Sequence, residues 1–375
     1  MITNFRGLLD DKIRINAFQK AISEVVDNTK SVLEIGSALG TYSFFAAQNN
    51  AKKIYAVEMD DIFYAGVEIA EQNQLQDKIK FIKGKTTEIN IPEKVDYIIM
   101  EDYSPFFIYE NLENIIIDAR DRFLKENGKF IPNTIILKVA PVQADSFYKE
   151  INLWQEQDDK LYGIDWKYTT ELAFNRPYYA ELHKLLLLAP ESTIKTIDLS
   201  KDKDFPFSFN IKQKITKDGI IHGLAGWWDT YFTENQFFSN SPVELNNTWG
   251  QMFFPFQYPV KVKTGETIKI QMHVLESGLS GNIDYKWKIE ASKSIQEQNT
   301  VKGSFLPISD LNRLIKKSKS KLSINGEIAR FILEKLDHGD SPDLIGIQLD
   351  KKYSVKILTK EKKKLIFDNI LKNYT

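Results

Sequence analysis

Val32-Leu33-Glu34-Ile35-Gly36-Ser37-Ala38-Leu39-Gly40 reads as a buried strand, a glycine turn and the start of a helix. Glycines let the backbone turn tightly and approach a ligand, and the N-terminus of the following helix faces the same point. A lone Gly-x-x-x-Gly is a common turn, so its surroundings decide its meaning. Ile54 to Val57 is a second apolar strand, closed by Glu58 about twenty residues on, where an acid can accept hydrogen bonds from both hydroxyls of a ribose. Lys83-Gly84-Lys85-Thr86-Thr87-Glu88 closes a third strand, Ile79 to Ile82, where an adenine ring would lie. The full dinucleotide fingerprint is missing, and the spacing suits an adenosyl methyl donor better than NAD.

Outward from this stretch, residues 1 to about 140 alternate strands with helices, as a parallel α/β sheet requires. Helices are expected over Arg14 to Val26, Thr41 to Asn49, Ile62 to Asn73 and Leu112 to Leu124, the last ended with the help of Gly128. A fourth strand runs from Val95 to Met100. It opens onto Glu101-Asp102-Tyr103-Ser104-Pro105-Phe106-Phe107-Ile108-Tyr109-Glu110, in which two glutamates nine residues apart bracket an aromatic segment. Two acids on one loop can form a forked acceptor for a planar cation such as guanidinium. Taken alone, the pair reads as a strand-end loop with two solvated acids. Beside a donor loop it reads as a clamp.

Residues about 133 to 298 change character. TIILKVAPV, STIKTIDL, IIHGLAGWWDTYF, TWGQMFFPF and TIKIQMHV are separated by Gly, Pro, Asn and Asp turns, which argues for a β-barrel or sandwich. An aromatic-rich insertion, about 147 to 183, looks like a projecting arm. Trp227, Trp228, Tyr231, Phe232, Phe253, Phe254 and Phe256 are expected in the barrel core, and His222 as a strand residue rather than a base. Residues about 299 to 375 are lysine-rich. KKSKSK at 316–321 reads as a linker or exposed face, followed by helices over Ile324 to Leu336, Leu344 to Lys352 and Lys360 to Asn373.

Composition limits the chemistry. The 375 residues carry 50 basic and 51 acidic side chains, so no global field recruits nucleic acid or membrane. With no cysteine there is no disulfide, thiol nucleophile or Cys-ligated zinc, which fits a reducing cytoplasm. Four scattered histidines have no short metal-ligand spacing, so no metal is expected. MITNFRGLLDDKIR is charged and is not read as a signal peptide, and no run of about 18 apolar residues predicts a membrane helix.

Residues 7 to about 298 resemble the protein arginine methyltransferases. VLEIGSALGTYSFFAA is similar to that family's first motif, IYAVEMD to its second, and IKGKTTEINIPEKVDYIIME to the run into its double-glutamate loop. EDYSPFFIYENLENIIIDARDRFLKENGKFIPN resembles that loop with its flanks. HGLAGWWDTYF, NNTWGQMFFPF and VKVKTGETIKI resemble its barrel, and YGIDWKYTTELAF sits where it has a dimerisation arm.

The resemblance implies a Rossmann-like class I methyltransferase domain (1–132), a β-barrel substrate domain with the arm (133–298), and a linker with a small helical domain (299–375). It implies S-adenosylmethionine as donor and a guanidino nitrogen as acceptor, most simply arginine in a protein or ribosomally made peptide. By the same resemblance, Arg14, Gly36, Gly40 and Glu58 would meet the donor; Glu34, Met59, Thr86 and Glu101 are expected beside them, with Thr87 replacing a family acid near the adenine. Arg14 would pair with the donor's carboxylate and Glu58 with its ribose. Glu101 and Glu110 would be the catalytic clamp. Apart from the resemblance, Asp102, which stands where the family has a tryptophan, is expected either to meet the acceptor with Tyr109 and Trp249 or to face water. Homodimers, formed by the arm of one subunit docking on the other, are implied too.

The departures motivate alternatives. Thr248 replaces a family histidine that pairs with an acid corresponding to Asp11, and Asp102 adds a third acid. Both suit a methyltransferase for free arginine or another amine. Only residues 1 to 9 precede the matching segment, with Phe5 in place of a usual histidine. The donor's cap is then expected to be short, which suits an inactive scaffold. Leu322 to Gly339 with the helices after it resembles the C-terminal part of the PqqD-like domains that hold precursor peptides. The alternative is a helical domain that packs on the barrel. If the resemblance holds, residues 320–375 would meet the leader of a precursor peptide.

Overall fold

The computed structural model describes residues 2–155, 161–182, 186–242, 248–276, 283–291, 294–305 and 324–352. The chain divides into two compact units, Met1–Phe305 and Leu306–Thr375. The first unit opens with helices α1 (Ile2–Asp10) and α2 (Lys12–Val25). Asp11 caps α2 by accepting from the Arg14 amide at 3.0 Å, and α2 buries Phe18, Ala21 and Ile22. Then come β1 (Ser31–Ile35), α3 (Thr41–Gln48), β2 (Lys53–Glu58), α4 (Ile62–Gln72), β3 (Ile79–Lys83), β4 (Val95–Met100), α5 (Leu112–Phe123) and β5 (Leu124–Ile131).

These five strands pair in parallel in the order β3-β2-β1-β4-β5. All five residues of β1 and the last five of β2 are buried, the continuous apolar pattern of strands covered on both faces. The order reverses between β1 and β4. An open α/β sheet binds its ligand at such a switch point, beyond the carboxyl ends of the strands.

Gly128 does not end α5. The helix stops at Phe123 because Leu124 turns extended and is drawn into the core, 4 % exposed, starting β5 at once. Gly128 lies inside β5, where a Cβ would strike the Leu124 side chain at 2.6 Å and the Asp96 carbonyl at 2.9 Å. Its small size serves packing rather than a left-handed cap.

Antiparallel strands follow β5. β6 (Thr134–Gln143) leads to the helices α6 (Asp145–Asn152) and α7 (Lys167–Phe174), then to β7 (Tyr178–Ala180), β8 (Leu186–Leu187), β9 (Ser192–Asp198) and β10 (Phe207–Lys214). β11 (Gly219–Tyr231), β12 (Phe237–Ser239), β13 (Gln251–Val262), β14 (Thr267–Glu276), β15 (Ile283–Ala291) and β16 (Ser294–Asn299) complete the set. One sheet runs β7-β13-β11-β6-β8, with β9 on β6 and β12 on β11, and the other runs β10-β14-β15-β16. Both contribute to the large core shared with the parallel sheet, including Trp228, Phe254, Phe256, Ile270 and Trp287.

Six of the seven aromatics expected inside this region are buried. Tyr231 is the exception at 44 % exposed, because it ends β11 and packs at the surface on Phe237. His222 is a buried strand residue whose Nδ1 accepts from the Ala144 amide. Around α6 and α7 the surface is apolar, with Leu153, Trp154, Tyr162, Ile164 and Tyr168 exposed.

In the second unit, α8 (Ile324–Asp337) and α9 (Pro342–Lys352) form a hairpin around Ile328, Phe331, Ile332, Ile345 and Leu349. The helix expected over Lys360 to Asn373 and the KKSKSK run lie outside the described residues. Among the described residues, no helix is long and apolar enough to cross a membrane.

Candidate active site

A cavity of about 510 Å³ lies at the carboxyl ends of β1, β2 and β4. The turn after β1 forms its floor. Gly36 and Gly40 both have positive φ, 67° and 85°. A Cβ on Gly40 would meet the Phe81 ring at 3.1 Å as well as strain the turn. The Ser37 amide donates to the Val57 carbonyl (3.0 Å) and the Gly40 amide to the Ser37 carbonyl (2.6 Å).

Two buried acids brace this turn from opposite sides. Glu34 accepts from the Ser43 amide (2.7 Å), the Ser43 hydroxyl (2.5 Å) and the Tyr42 amide (3.4 Å), tying β1 to the start of α3. Its burial pushes the carboxyl up to about 7. Glu58 accepts from the Ala38 amide through Oε2 (2.9 Å) and from the Asp60 amide through Oε1 (2.7 Å). Each carboxylate oxygen keeps a lone pair for a second donor, such as a hydroxyl.

Arg14 rises into the cavity from α2, 3 % exposed. Its guanidinium donates to Glu101 and to the Leu8 carbonyl and stands 5.5 Å from the centre of the Trp249 ring. Its Nε is buried without a hydrogen-bond partner and lies 3.9 Å from the Asp11 carboxylate. Asp11, below it, accepts from the Thr248 amide at 2.9 Å and hydroxyl at 2.8 Å. The acid and the barrel loop thus meet through a hydroxyl where the family resemblance places an imidazole.

The segment before Asp10 does more than its length suggested. It forms α1, and Phe5, Leu8 and Leu9 line the cavity, so this side of the site is walled by the chain itself. Sequence reading gave no role to Leu8 and Leu9. The apolar spacing of α1 was the available signal.

The loop after β4 is built from its own backbone and pinned to the barrel. The Ser104 and Phe107 amides exchange bonds with each other's carbonyls, and the Ser104 hydroxyl donates to the Ile108 carbonyl. Phe107 takes a left-handed φ of 66°, a strained position held by full burial of its ring. The Trp228 indole donates to the Ser104 carbonyl (3.1 Å) and the Asn240 amide to the Pro105 carbonyl (2.9 Å). Phe106 is buried against Phe254. The loop therefore moves only if the barrel does.

The cavity brings together Arg14, Glu34, Gly36, Glu58, Met59, Thr86, Thr87, Glu101, Asp102 and Tyr109. Gly40 shapes the turn without lining the cavity. Trp249 does not line it either; it is 8 % exposed and packed against Trp228 and Phe238. Glu110 is exposed at the far end of the loop and is not part of the lining. Among the described residues, no group of three His, Asp or Glu side chains is arranged to hold a metal.

Glu101 pairs with Arg14 and its side chain is 23 % exposed. Burial pushes its carboxyl from 4.5 up to about 7, against the pull of Arg14. Burial and Glu58 also push Asp102 upward. An acid raised on folding binds more protons in the folded state between the two values, so its contribution to stability falls as pH rises through that window. Chemistry that needs ionised Glu101 gains over the same window. We therefore expect kcat/KM for the acceptor to rise with pH through about 7 and level off above it. The kcat profile should be displaced to more acid pH, because a bound cation favours the carboxylate. Steady-state kinetics from pH 5 to about 9 check this, and a kcat/KM that falls or stays flat across neutrality would contradict it.

An order 3-2-1-4-5 parallel sheet, a glycine turn, an acid closing β2 and a cavity over the switch point define a class I methyltransferase. The residues suit S-adenosylmethionine: Arg14 lines the cavity with a guanidinium that can pair with a carboxylate, and Glu58 keeps lone pairs for a ribose. Residues 134–291 match the arginine methyltransferase oligomerization subdomain. Over 271 residues the chain is 30 % identical to "Protein arginine N-methyltransferase 1" of Schizosaccharomyces pombe, covering 70 % of this chain and 78 % of that one. It is 31 % identical to "Histone-arginine methyltransferase CARMER" of Drosophila grimshawi over 70 % of its own length, but spans only 51 % of that relative. The Trypanosoma brucei PRMT1 enzyme–prozyme complex with AdoHcy superposes with a TM-score of 0.72 at 25 % identity, over 78 % of this chain and 95 % of that one. The chain belongs to the protein arginine methyltransferase family, enzymes that use S-adenosylmethionine.

Proposed function

We propose that the protein transfers a methyl group from S-adenosylmethionine to a guanidino nitrogen of an arginine held in a protein or peptide. The observation that carries this reading is Glu101. It is a half-buried carboxylate, paired with Arg14, at the junction of the donor cavity and a loop that the barrel holds rigid. S-adenosylmethionine, when bound, supplies a methyl already activated on a sulfonium, so the protein's task is alignment. Arg14 would hold the donor's carboxylate and Glu58 its ribose, with Glu34, Gly36 and Gly40 keeping the turn between them and Met59, Thr86 and Thr87 lining the adenine side.

A guanidinium is always protonated and a weak nucleophile. Glu101 holds it through one edge and keeps its positive charge on the bonded nitrogens, leaving one nitrogen free to attack. Glu110, open to water, engages the other edge and takes the proton that the attacking nitrogen sheds. Asp102 and Tyr109 line the acceptor's approach. Burial pushes the Tyr109 phenol up, so it acts as a neutral donor. Trp249 acts from behind, under Arg14.

The same proposal divides the chain into a donor domain (1–132), a barrel with the arm at about 147–183 (133–298), and a helical tail (299–375). The apolar surface around α6 and α7 supports a homodimer joined through the arm. The α8–α9 hairpin supports a role for residues 320–375 in holding the leader of a precursor peptide. The lack of cysteine supports a cytoplasmic location.

The test is incubation with methyl-labelled S-adenosylmethionine and three acceptors: an arginine peptide, the same peptide with citrulline, and free arginine. Label in the first alone is the expected result. Label in free arginine alone would move the substrate class to small molecules, and label in none would remove the proposal.

A further inference from the structure

Arg122 sits on α5, outside the cavity lining, and is given no role by the sequence motifs. Its guanidinium makes four hydrogen bonds. Nε donates to Asp118 at 2.8 Å and Nη2 to the same carboxylate at 2.5 Å, one helical turn back. Nη1 donates to the Ile89 carbonyl at 2.7 Å and Nη2 also to the Thr86 carbonyl at 2.6 Å. Those two carbonyls belong to the loop after β3, whose Gly84, Lys85, Thr86 and Thr87 line the donor cavity.

The loop has few other ties. The Glu88 and Ile89 amides close a turn on the Lys85 carbonyl, and the Gly84 amide donates to the Glu58 carbonyl. Lys85 and Glu88 pair at 3.4 Å with both side chains more than 60 % exposed, a contact worth little in water. Thr86 is buried and Ile89 packs on the core, but Lys85, Thr87 and Glu88 beside them are exposed, so the path of the loop depends on what fixes its backbone. A planar fork that grips two carbonyls while its other edge is locked by a carboxylate suits that task, and a lysine cannot reproduce it. α5 begins at Leu112, two residues after Glu110. The anchor therefore fastens the nucleoside edge of the cavity to the helix that carries the end of the glutamate loop.

We infer that Arg122, oriented by Asp118, is a positioning residue for the donor: it sets the adenine-side wall of the cavity, which is thereby built before the donor arrives. This rests on the reading of the cavity as the S-adenosylmethionine site. Without the anchor, the loop must be ordered at the expense of binding, and apparent affinity falls by the fraction of time the loop is misplaced.

The experiment is calorimetric titration with S-adenosylhomocysteine, together with steady-state kinetics, on Arg122→Met, Arg122→Lys and wild type. Arg122→Met is expected to weaken S-adenosylhomocysteine binding and raise the donor KM by about tenfold. Its kcat and acceptor KM should stay within about twofold, because Glu101 and its loop are untouched. Arg122→Lys should recover part of the loss, since an ammonium can reach one carbonyl. Far-UV circular dichroism verifies that both variants are folded. Equal S-adenosylhomocysteine affinity in wild type and Arg122→Met overturns the inference while leaving the donor site standing. A loss shared equally by donor KM, acceptor KM and kcat also overturns it, as the mark of general damage. Failure of wild type itself to bind S-adenosylhomocysteine removes the donor reading instead.

Discussion

Glu101→Gln is expected to lower kcat by about 10²–10³-fold while S-adenosylhomocysteine binding stays within about threefold of wild type. The two outcomes separate because Glu101, though paired with Arg14, serves the acceptor with its charge, whereas Arg14 serves the donor. Glutamine keeps the size of the side chain and one acceptor, so Arg14 retains a partner. What disappears is the charge. A neutral amide can accept one bond from a guanidinium but cannot hold its positive charge away from the attacking nitrogen. Single-turnover measurement with saturating acceptor isolates this step from binding. If Glu101→Gln turns over within a few-fold of wild type, the carboxylate is not the group that orients the acceptor.

Arg14→Met should fail in a different way. Arg14 is 3 % exposed, bonded to Glu101 and to the Leu8 carbonyl of α1. Removing one partner of a buried pair leaves the other without compensation. Because Glu101 is partly open to water, a loss of about 3 kcal/mol, at the low end for such pairs, is expected. The loss should depend on pH. Without Arg14 the Glu101 carboxyl is pushed still higher, so the folded variant holds its proton over a wider range and its deficit grows as pH rises above neutrality. Donor binding should be lost as well, since the cation that lines the cavity goes with the side chain. Urea denaturation at pH 6 and at about pH 8, with S-adenosylhomocysteine titration, checks both parts. A variant that keeps the wild-type affinity would show that the donor's carboxylate is held elsewhere.

What the sequence made legible follows local periodicity. β1, β2 and β4 are readable because they are short apolar runs closed by Gly or an acid, and α2 because its apolar residues recur on one face. The glycine turn and Glu58 were readable because the turn demands glycine and the acid sits at a fixed distance after it. Gly128 misled because a glycine after a helix usually caps it, whereas here a buried Leu124 had already started the next strand.

The site was less legible where it depends on distant partners. The glutamate spacing is visible in sequence. Its anchoring is not, because Trp228 and Asn240 grip backbone carbonyls of Ser104 and Pro105 more than a hundred residues away. Arg122 escaped for the same reason: carbonyl acceptors carry no side-chain signature, and its only local sign is Asp118 four residues before it. The wall given by α1 was hidden by the brevity of the segment. Glu110, though matched in spacing, stands exposed beside a cavity it does not line, so its part belongs to the moment when an acceptor arrives.

The central claim is that Glu101 presents a guanidinium to a methyl donor. Its most direct test is tandem mass spectrometry of an arginine-containing peptide after incubation with isotopically labelled S-adenosylmethionine and either wild type or Glu101→Gln. The account predicts the labelled methyl on a guanidino nitrogen of arginine with wild type and none with the variant. Label on lysine, on the peptide terminus or on any other atom would contradict it, as would equal labelling of arginine by Glu101→Gln.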